Sequence, residues 1–184
     1  MLYYNPNMSR RIKLFIAIST DGFIATKDGD ISFLNQVELE GEDYGYAAFM
    51  DTVDTILMGR KTYEKVLSFG HDFSNVDKQI YVITRNEELK NHKNIQFHSH
   101  LLQLVNEELN KSGKDIFCDG GAEIIQQLLN AGLVSEMTLS IIPVLLGDGI
   151  RLFDNGLTPH NLTFIDSKSF TSGLVQVKYT LSRF

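Results

Sequence analysis

Residues 54–64 read DTILMGRKTYE, and this stretch decides the fold assignment. Its apolar segment 55–58 has the composition of a buried strand and runs directly into Gly59. Two cations, Arg60 and Lys61, follow at once, and a helical pattern begins beside them. The sequence therefore predicts a junction at which a buried strand turns at a glycine into a helix.

The predicted junction has the features of an anion site. The first turn of a helix presents free backbone N–H groups and the positive end of the helix dipole. Cations there are unfavourable by roughly 0.3–1 kcal/mol, so Arg60 and Lys61 favour a ligand such as a phosphate, and Thr62 adds a hydroxyl donor or an N-cap. The alternative is a solvated basic turn.

A second junction lies at residues 117–129, FCDGGAEIIQQLL, where an apolar strand ends at Gly120-Gly121 and a helix follows. Paired glycines permit unusual dihedrals and a close approach of backbone to ligand. Neither the dinucleotide-fold nor the P-loop fingerprint is present. The pair is either a tight turn or a cofactor cradle, and two such junctions in one chain favour a cofactor with two phosphates.

Apolar runs and helical spacing alternate along the chain and predict an α/β fold. A sheet with helices between its early strands is expected, ending in an antiparallel hairpin around Ser172-Gly173. We expect one domain over residues 1–184, with residues 1–10 as a flexible extension. Strands are predicted at 12–19, 55–58, 79–84, 115–118, 136–146, 161–170 and 174–182, and helices at 43–52, 62–69, 100–109 and 122–131.

Composition and charge narrow the class of protein. The chain is 43% hydrophobic and 22% charged with a formal net charge of −6, which argues against nucleic-acid or anionic-membrane partners. Its single cysteine, Cys118, rules out an internal disulfide framework, and the five histidines lack metal-ligand spacing. We expect a cytoplasmic protein without a bound metal.

Three motifs together resemble the dihydrofolate reductase-like fold, in particular the branch related to the C-terminal reductase domain of the bifunctional riboflavin-biosynthesis protein. STDGFIA (19–25) resembles the S-x-D-G-x-I-A turn of that branch, and MGRKTYE (58–64) resembles M-G-R-x-T-[WY]-E of dihydrofolate reductases. The stretch 119–153 is similar to the branch from its G-G turn to its P-x-x-L-G-x-G-x-x-L-F ending. The fold implied is a mixed, mostly parallel sheet flanked by helices.

The resemblance implies that the chain binds NADPH. In this family the G-R-x-T turn places its arginine near the adenosine 2′-phosphate and its threonine near the pyrophosphate, while the glycine pair approaches the pyrophosphate and nicotinamide. A planar guanidinium suits a phosphate. The implied contacts are Gly59, Arg60, Lys61 and Thr62, with Thr84 and Arg85 at the adenosine end, Gly120, Gly121, Ala122 and Glu123 at the glycine turn, and the backbones of Ala17 and Ile24 at the nicotinamide.

The substrate side matches less well. Counting back from Met58 without gaps places Asp43 where dihydrofolate reductases carry their pterin-binding carboxylate, although an exposed acidic loop is the alternative. The P-W-x-L-P-x-D segment and the arginine clamp of those enzymes are absent. One cysteine cannot form the zinc deaminase site of the riboflavin enzyme, and its D-N-P-x-L-T-x-R stretch is missing.

The sequence thus predicts an NADPH-dependent reductase of a small heterocyclic substrate, resembling 5-amino-6-(5-phosphoribosylamino)uracil reductase. A dihydrofolate or pterin reductase is one alternative. A ligand-binding or interaction protein on a retired reductase scaffold is the other. The resemblance further implies a homodimer.

Overall fold

An eight-stranded sheet forms the centre of the computed structural model, which describes residues 10–71, 73, 76–86 and 89–183. The strands are β1 (Ile12–Ser19), β2 (Phe23–Ala25), β3 (Val53–Gly59), β4 (Gln79–Ile83), β5 (Ile95–His98), β6 (Asp115–Gly120), β7 (Val134–Ile142), β8 (Ile150–Arg151), β9 (His160–Ser169) and β10 (Val175–Arg183). The helices are a 3-10 helix (Ser32–Val37), α1 (Tyr46–Met50), α2 (Arg60–Ser68), α3 (Leu101–Leu109) and α4 (Ala122–Ala131).

The sheet has the order β5-β4-β3-β6-β1-β7-β10-β9. Its first six strands are parallel, and β10 runs antiparallel to both β7 and β9. The predicted mixed, mostly parallel sheet with a C-terminal antiparallel hairpin is therefore confirmed. Strands β2 and β8 form a separate two-stranded pair.

Helices cover both faces of the parallel part, which explains why its strands are apolar almost throughout. Helices α3 and α4 pack against one face through a cluster that includes Leu14, Cys118 and Met137. Helices α1 and α2 pack against the other face, over Ile56 and Phe117. The carboxyl edge near β1 and β7 is closed by the 3-10 helix through a third apolar cluster.

The structure departs from the predicted elements in several places. The strand predicted over 136–146 ends at Ile142, because Pro143 has no N–H for the ladder and the Val144 N–H turns back to the Ile142 carbonyl at 2.8 Å. Strand β5 was not predicted, since IQFH is short and half polar. Residues 1–9 of the predicted extension lie outside the described residues, whereas Arg10 is buried and ion-paired with Glu108 at 3.1 Å.

The described helices are short. The longest, α4, has ten residues and ends at Gly132, as its sequence predicted. Within the described ranges no helix combines the length and the apolar character that crossing a membrane requires.

Candidate active site

The two predicted junctions meet at the carboxyl edge of the sheet, where strands β3 and β6 are parallel neighbours. Helix α2 begins directly after Gly59, and helix α4 begins directly after Gly121. A Cβ atom built on Gly121 would lie 3.3 Å from Thr62 Oγ1, and one built on Gly59 would lie 3.2 Å from Ile124 Cγ1. The two helix N-termini therefore lie side by side, and a Cβ atom on either glycine would crowd its neighbour.

The glycines serve different purposes. Gly120 has a φ of +123°, which side chains rarely adopt, and the Gly120–Gly121 peptide bond is cis. Gly59 has ordinary extended dihedrals, φ −78° and ψ 156°. The prediction that Gly59 permits a tight turn was therefore wrong, since its role is to let α4 approach.

The predicted cations lie at this edge. Arg60 is exposed, and its Nη1 donates to Glu64 Oε1 at 2.7 Å, one turn further along α2. Lys61 is also exposed. Thr62 does not cap the helix, because Gly59 occupies the N-cap position without a side-chain hydrogen bond; the Thr62 hydroxyl instead faces the glycine pair.

The predicted adenosine-end residues follow the neighbouring strand. Strand β4 pairs with β3 up to Gly59 and Ile83, so Thr84 and Arg85 reach the same edge as α2. Thr84 is buried, and its Oγ1 accepts the Asn86 N–H at 3.0 Å. Arg85 is exposed to solvent.

The two predicted nicotinamide contacts are partly buried and belong to different clusters. Ala17 lies in β1 opposite Ser140 and packs with the 3-10 helix. Ile24 lies in β2 and packs with the apolar cluster beneath α3 and α4. Both residues lie near the carboxyl end of β1, but they pack into different apolar clusters.

A cleft of about 520 Å³ opens in front of α4. Ala122 and Glu123 line one wall, and residues 147–152 line the other. The Arg151 guanidinium also lines it, with its Cζ 4.4 Å from the centre of the Phe23 ring. Arg151 is not among the predicted site residues, and it supplies a cation to the cleft that Ala122 and Glu123 line.

The Asp21 turn anchors that loop. Its carboxylate accepts the Ser19 hydroxyl at 2.6 Å and the backbone N–H groups of Leu146 and Gly147 at 3.1 and 2.7 Å. These hydrogen bonds, that of Ser19 above all, lower the pKa of Asp21 to about 2. The turn therefore joins the end of β1 to the wall of the cleft.

Asp119 is the carboxylate that sequence reasoning overlooked. It lies in β6 directly before Gly120, and burial raises its pKa to about 6. No described residue donates a hydrogen bond to it. Burial and the negative charge of Asp119 raise the pKa of Tyr46 to about 12. A carboxyl with a pKa near 6 beside the glycine turn can donate a proton.

Aromatic rings surround this position on the same face of the sheet. Phe117, two residues before Asp119, contacts Phe49 of α1 at 5.0 Å between ring centroids. Phe15 of β1 contacts Phe49 and Tyr46 at 4.9 and 5.8 Å. The cluster offers an apolar surface to a flat ring.

Asp43, the predicted catalytic residue, caps α1. It is exposed, and its carboxylate accepts the N–H groups of Ala47 and Gly45 at 2.8 and 2.9 Å. These bonds, that of Ala47 first, hold the pKa of Asp43 below its usual value. A carboxylate in this environment favours its charged form and is a poorer proton donor than Asp119.

A second hollow, of about 300 Å³, lies on the other side of α1. Phe15 and Phe49 reach it from the aromatic cluster, and its polar lining includes Lys13, Glu136 and Lys178. Lys178 pairs with Glu136 at 2.9 Å. In the part of the chain that the structure describes, no three His, Cys, Asp or Glu side chains converge as ligands of a metal ion.

Comparison with known proteins places this geometry in a family. The model of the RibD C-terminal domain matches residues 10–176, and the chain belongs to that family. The uncharacterized protein YwjB of Bacillus subtilis (strain 168) is 35% identical over 173 residues, which cover 94% of this chain and 98% of YwjB. The family supports a riboflavin-pathway-like reductase.

Solved structures share the fold. A putative riboflavin biosynthesis protein from Shewanella sp. PV-4 superposes with a TM-score of 0.82 at 29% identity, covering 94% of this chain and 99% of that one. A diaminohydroxyphosphoribosylaminopyrimidine deaminase/5-amino-6-(5-phosphoribosylamino)uracil reductase from Thermotoga maritima has a TM-score of 0.71 at 12% identity, covering 95% of this chain and 57% of that one. The predicted resemblance is confirmed.

Proposed function

We propose that the chain is an NADPH-dependent reductase of a small heterocyclic substrate related to 5-amino-6-(5-phosphoribosylamino)uracil. One observation carries the proposal: the glycine junctions of α2 and α4 converge beside cations, and the partly buried carboxyl of Asp119 directly precedes the second junction. Cofactor and proton donor would thus share one edge of the sheet.

The residues present fit a dinucleotide phosphate. The close packing at Gly59 and Gly121 brings α2 and α4 together, and both helices direct their first N–H groups toward that edge. Arg60 and Lys61 supply positive charge on α2, and Arg151 supplies it across the cleft from α4. These positions suit the 2′-phosphate and the pyrophosphate, respectively.

The chain would contribute positioning and a proton. NADPH, when bound, supplies the hydride. The rings of Phe15 and Tyr46, which retain exposed surface, would hold a flat heterocycle and exclude water from it. Asp119, protonated in part near neutral pH, would donate a proton to a ring or exocyclic nitrogen. The hollow beside Lys178 would receive a polar substituent of the same substrate.

A pterin reductase is the second candidate, and a retired scaffold is the third. The pterin candidate depends on Asp43, whose capping bonds to α1 leave it less suited to contact a substrate. The retired scaffold gives no physical reason to keep a carboxyl with a raised pKa at Asp119. The pterin reductase predicts turnover with dihydropterins, and the retired scaffold predicts no turnover.

The test is NADPH oxidation followed by nicotinamide absorbance, with aminopyrimidine and dihydropterin substrates in parallel. Turnover with an aminopyrimidine, reduced about 10²- to 10⁴-fold in Asp119→Asn, is the expected result. Asp43→Asn is the matched control and should retain most turnover. Turnover with dihydropterins only, or equal loss in both variants, would contradict the proposal.

A second copy of the chain is part of the proposal. Strand β9 is the edge of the sheet and is exposed along nearly its whole length, with Leu162, Phe164 and Ile165 respectively 48, 59 and 43% exposed. A long apolar edge strand favours pairing with another chain. Light scattering should give a dimer for the wild type and a monomer for a Phe164→Lys, Ile165→Lys double variant, while a wild-type monomer would contradict the proposed dimer.

We also propose a cytoplasmic location.

A further inference from the structure

Glu64 holds the guanidinium on which the proposed cofactor selectivity depends. It lies one turn after Arg60 on α2, with 2.7 Å between its Oε1 and Arg60 Nη1. The two side chains are 53 and 43% exposed, so a ligand can reach both. Lys65, the cation that directly follows Glu64 in the chain, is turned toward the Phe69 ring, with its Nζ 5.1 Å from the ring centre.

NADPH and NADH differ only at the adenosine 2′ position, and the two members of this pair prefer opposite ligands. A guanidinium binds the 2′-phosphate through charge-assisted hydrogen bonds. A carboxylate accepts a hydrogen bond from a 2′-hydroxyl and repels a phosphate. Arg60 and Glu64 present both groups within one hydrogen bond of each other.

We propose that Glu64 is a specificity-determining residue that narrows the preference for NADPH over NADH. The inference rests on the proposed function, because that function places the adenosine end beside Arg60. NADPH binding separates Arg60 from Glu64 and sets a dianion beside the carboxylate. NADH binding leaves the pair intact and gives Glu64 the 2′-hydroxyl.

The experiment uses two fragments that lack the nicotinamide, adenosine 2′,5′-bisphosphate and adenosine 5′-phosphate. Their dissociation constants are measured by calorimetry for the wild type and for Glu64→Gln. We expect the variant to bind the bisphosphate about three- to tenfold more tightly, as removal of one exposed like charge allows. Binding of the monophosphate should stay unchanged or weaken, and the gain should shrink at high ionic strength.

Glu107→Gln is the matched control. Glu107 is an exposed helical glutamate on α3, which packs against the other face of the sheet, and it accepts a hydrogen bond from Gln103 at 3.0 Å. This substitution removes the same charge far from α2 and should leave the ratio of the two dissociation constants unchanged. An equal shift of that ratio in Glu107→Gln would show a general charge effect and overturn the inference.

Two other results would overturn it. Weaker binding of the bisphosphate by Glu64→Gln would show that Glu64 orients Arg60 for the phosphate, and an unchanged ratio of the two dissociation constants would show that Glu64 does not discriminate.

Failure of the proposed reductase activity is a separate result. Fragment binding that shifts as expected, without NADPH oxidation on any substrate, would remove the proposed activity and leave the role of Glu64 standing. A wild type that binds neither fragment would overturn the adenosine placement and this inference with it.

Discussion

Replacing Asp119 by asparagine should stabilise the protein at neutral pH. Burial raises the pKa of the Asp119 carboxyl from 3.8 to about 6 in the fold, so ionising it is harder in the folded than in the unfolded chain. At about 1.4 kcal/mol for each pKa unit, this difference corresponds to about 3 kcal/mol. We expect the wild type to lose up to about this much stability when the carboxyl ionises.

The pH window of the effect follows from the same two values. Below a pH of 3.8 the carboxyl is protonated in both states, so ionisation costs nothing. As pH rises, the unfolded chain ionises first and the wild type loses stability until the folded carboxyl ionises near a pH of about 6. The stability gained by Asp119→Asn should therefore grow between these values and level off above them.

Chemical denaturation at a series of pH values measures the difference in unfolding free energy between the variant and the wild type. The slope with pH is decisive, because a packing change from the amide would add only a constant. Asp115→Asn, on the same strand, is the control. Burial opposes the ionisation of Asp115, but Lys13 and Arg11 outweigh it and hold its pKa below 3.8. The stability of this variant relative to the wild type should therefore fall as pH rises toward 3.8 and stay level above it. A flat profile for Asp119→Asn would refute the reasoning.

Three further substitutions probe the site and its support. Gly121→Ala would place a Cβ 3.3 Å from Thr62 Oγ1, and we expect NADPH binding, measured by fluorescence titration, to weaken at least about tenfold. The free energy of unfolding should fall by roughly 1 kcal/mol because the added methyl group crowds this contact. Asp21→Asn should speed hydrogen exchange of the Gly147 amide, because the carboxylate that accepts that N–H is lost; unchanged exchange would show that the loop holds itself. Glu108→Gln removes the buried partner of Arg10 and should lower the unfolding free energy by about 3–5 kcal/mol in urea denaturation, whereas a loss below about 1 kcal/mol would show that the network is compensated.

The order of strands and helices could be predicted because buried parallel strands leave continuous apolar runs between helical patterns. The two glycine junctions could be recognised for the same reason, since each lies where an apolar run ends. The reason why residue 59 is a glycine could not be predicted, because its dihedrals are ordinary and only the approach of Ile124 disfavours a side chain there. That contact joins residues far apart in the chain.

Asp119 shows the corresponding limit for the site. Its position before Gly120 was visible in the sequence, but its raised pKa depends on burial that only the assembled sheet and helix α1 create. Asp43 shows the reverse case: an ungapped count gave it a predicted substrate role, and in the structure its carboxylate accepts local N–H groups of α1.

A titration of NADPH into the pure wild-type protein tests the central claim most directly. The chain contains no tryptophan, so the nicotinamide fluorescence can be followed without interference from that side chain. Our account predicts saturable binding in the micromolar range that weakens in Arg60→Ala. Absence of binding by both NADPH and NADH would contradict it and leave the retired scaffold as the better description.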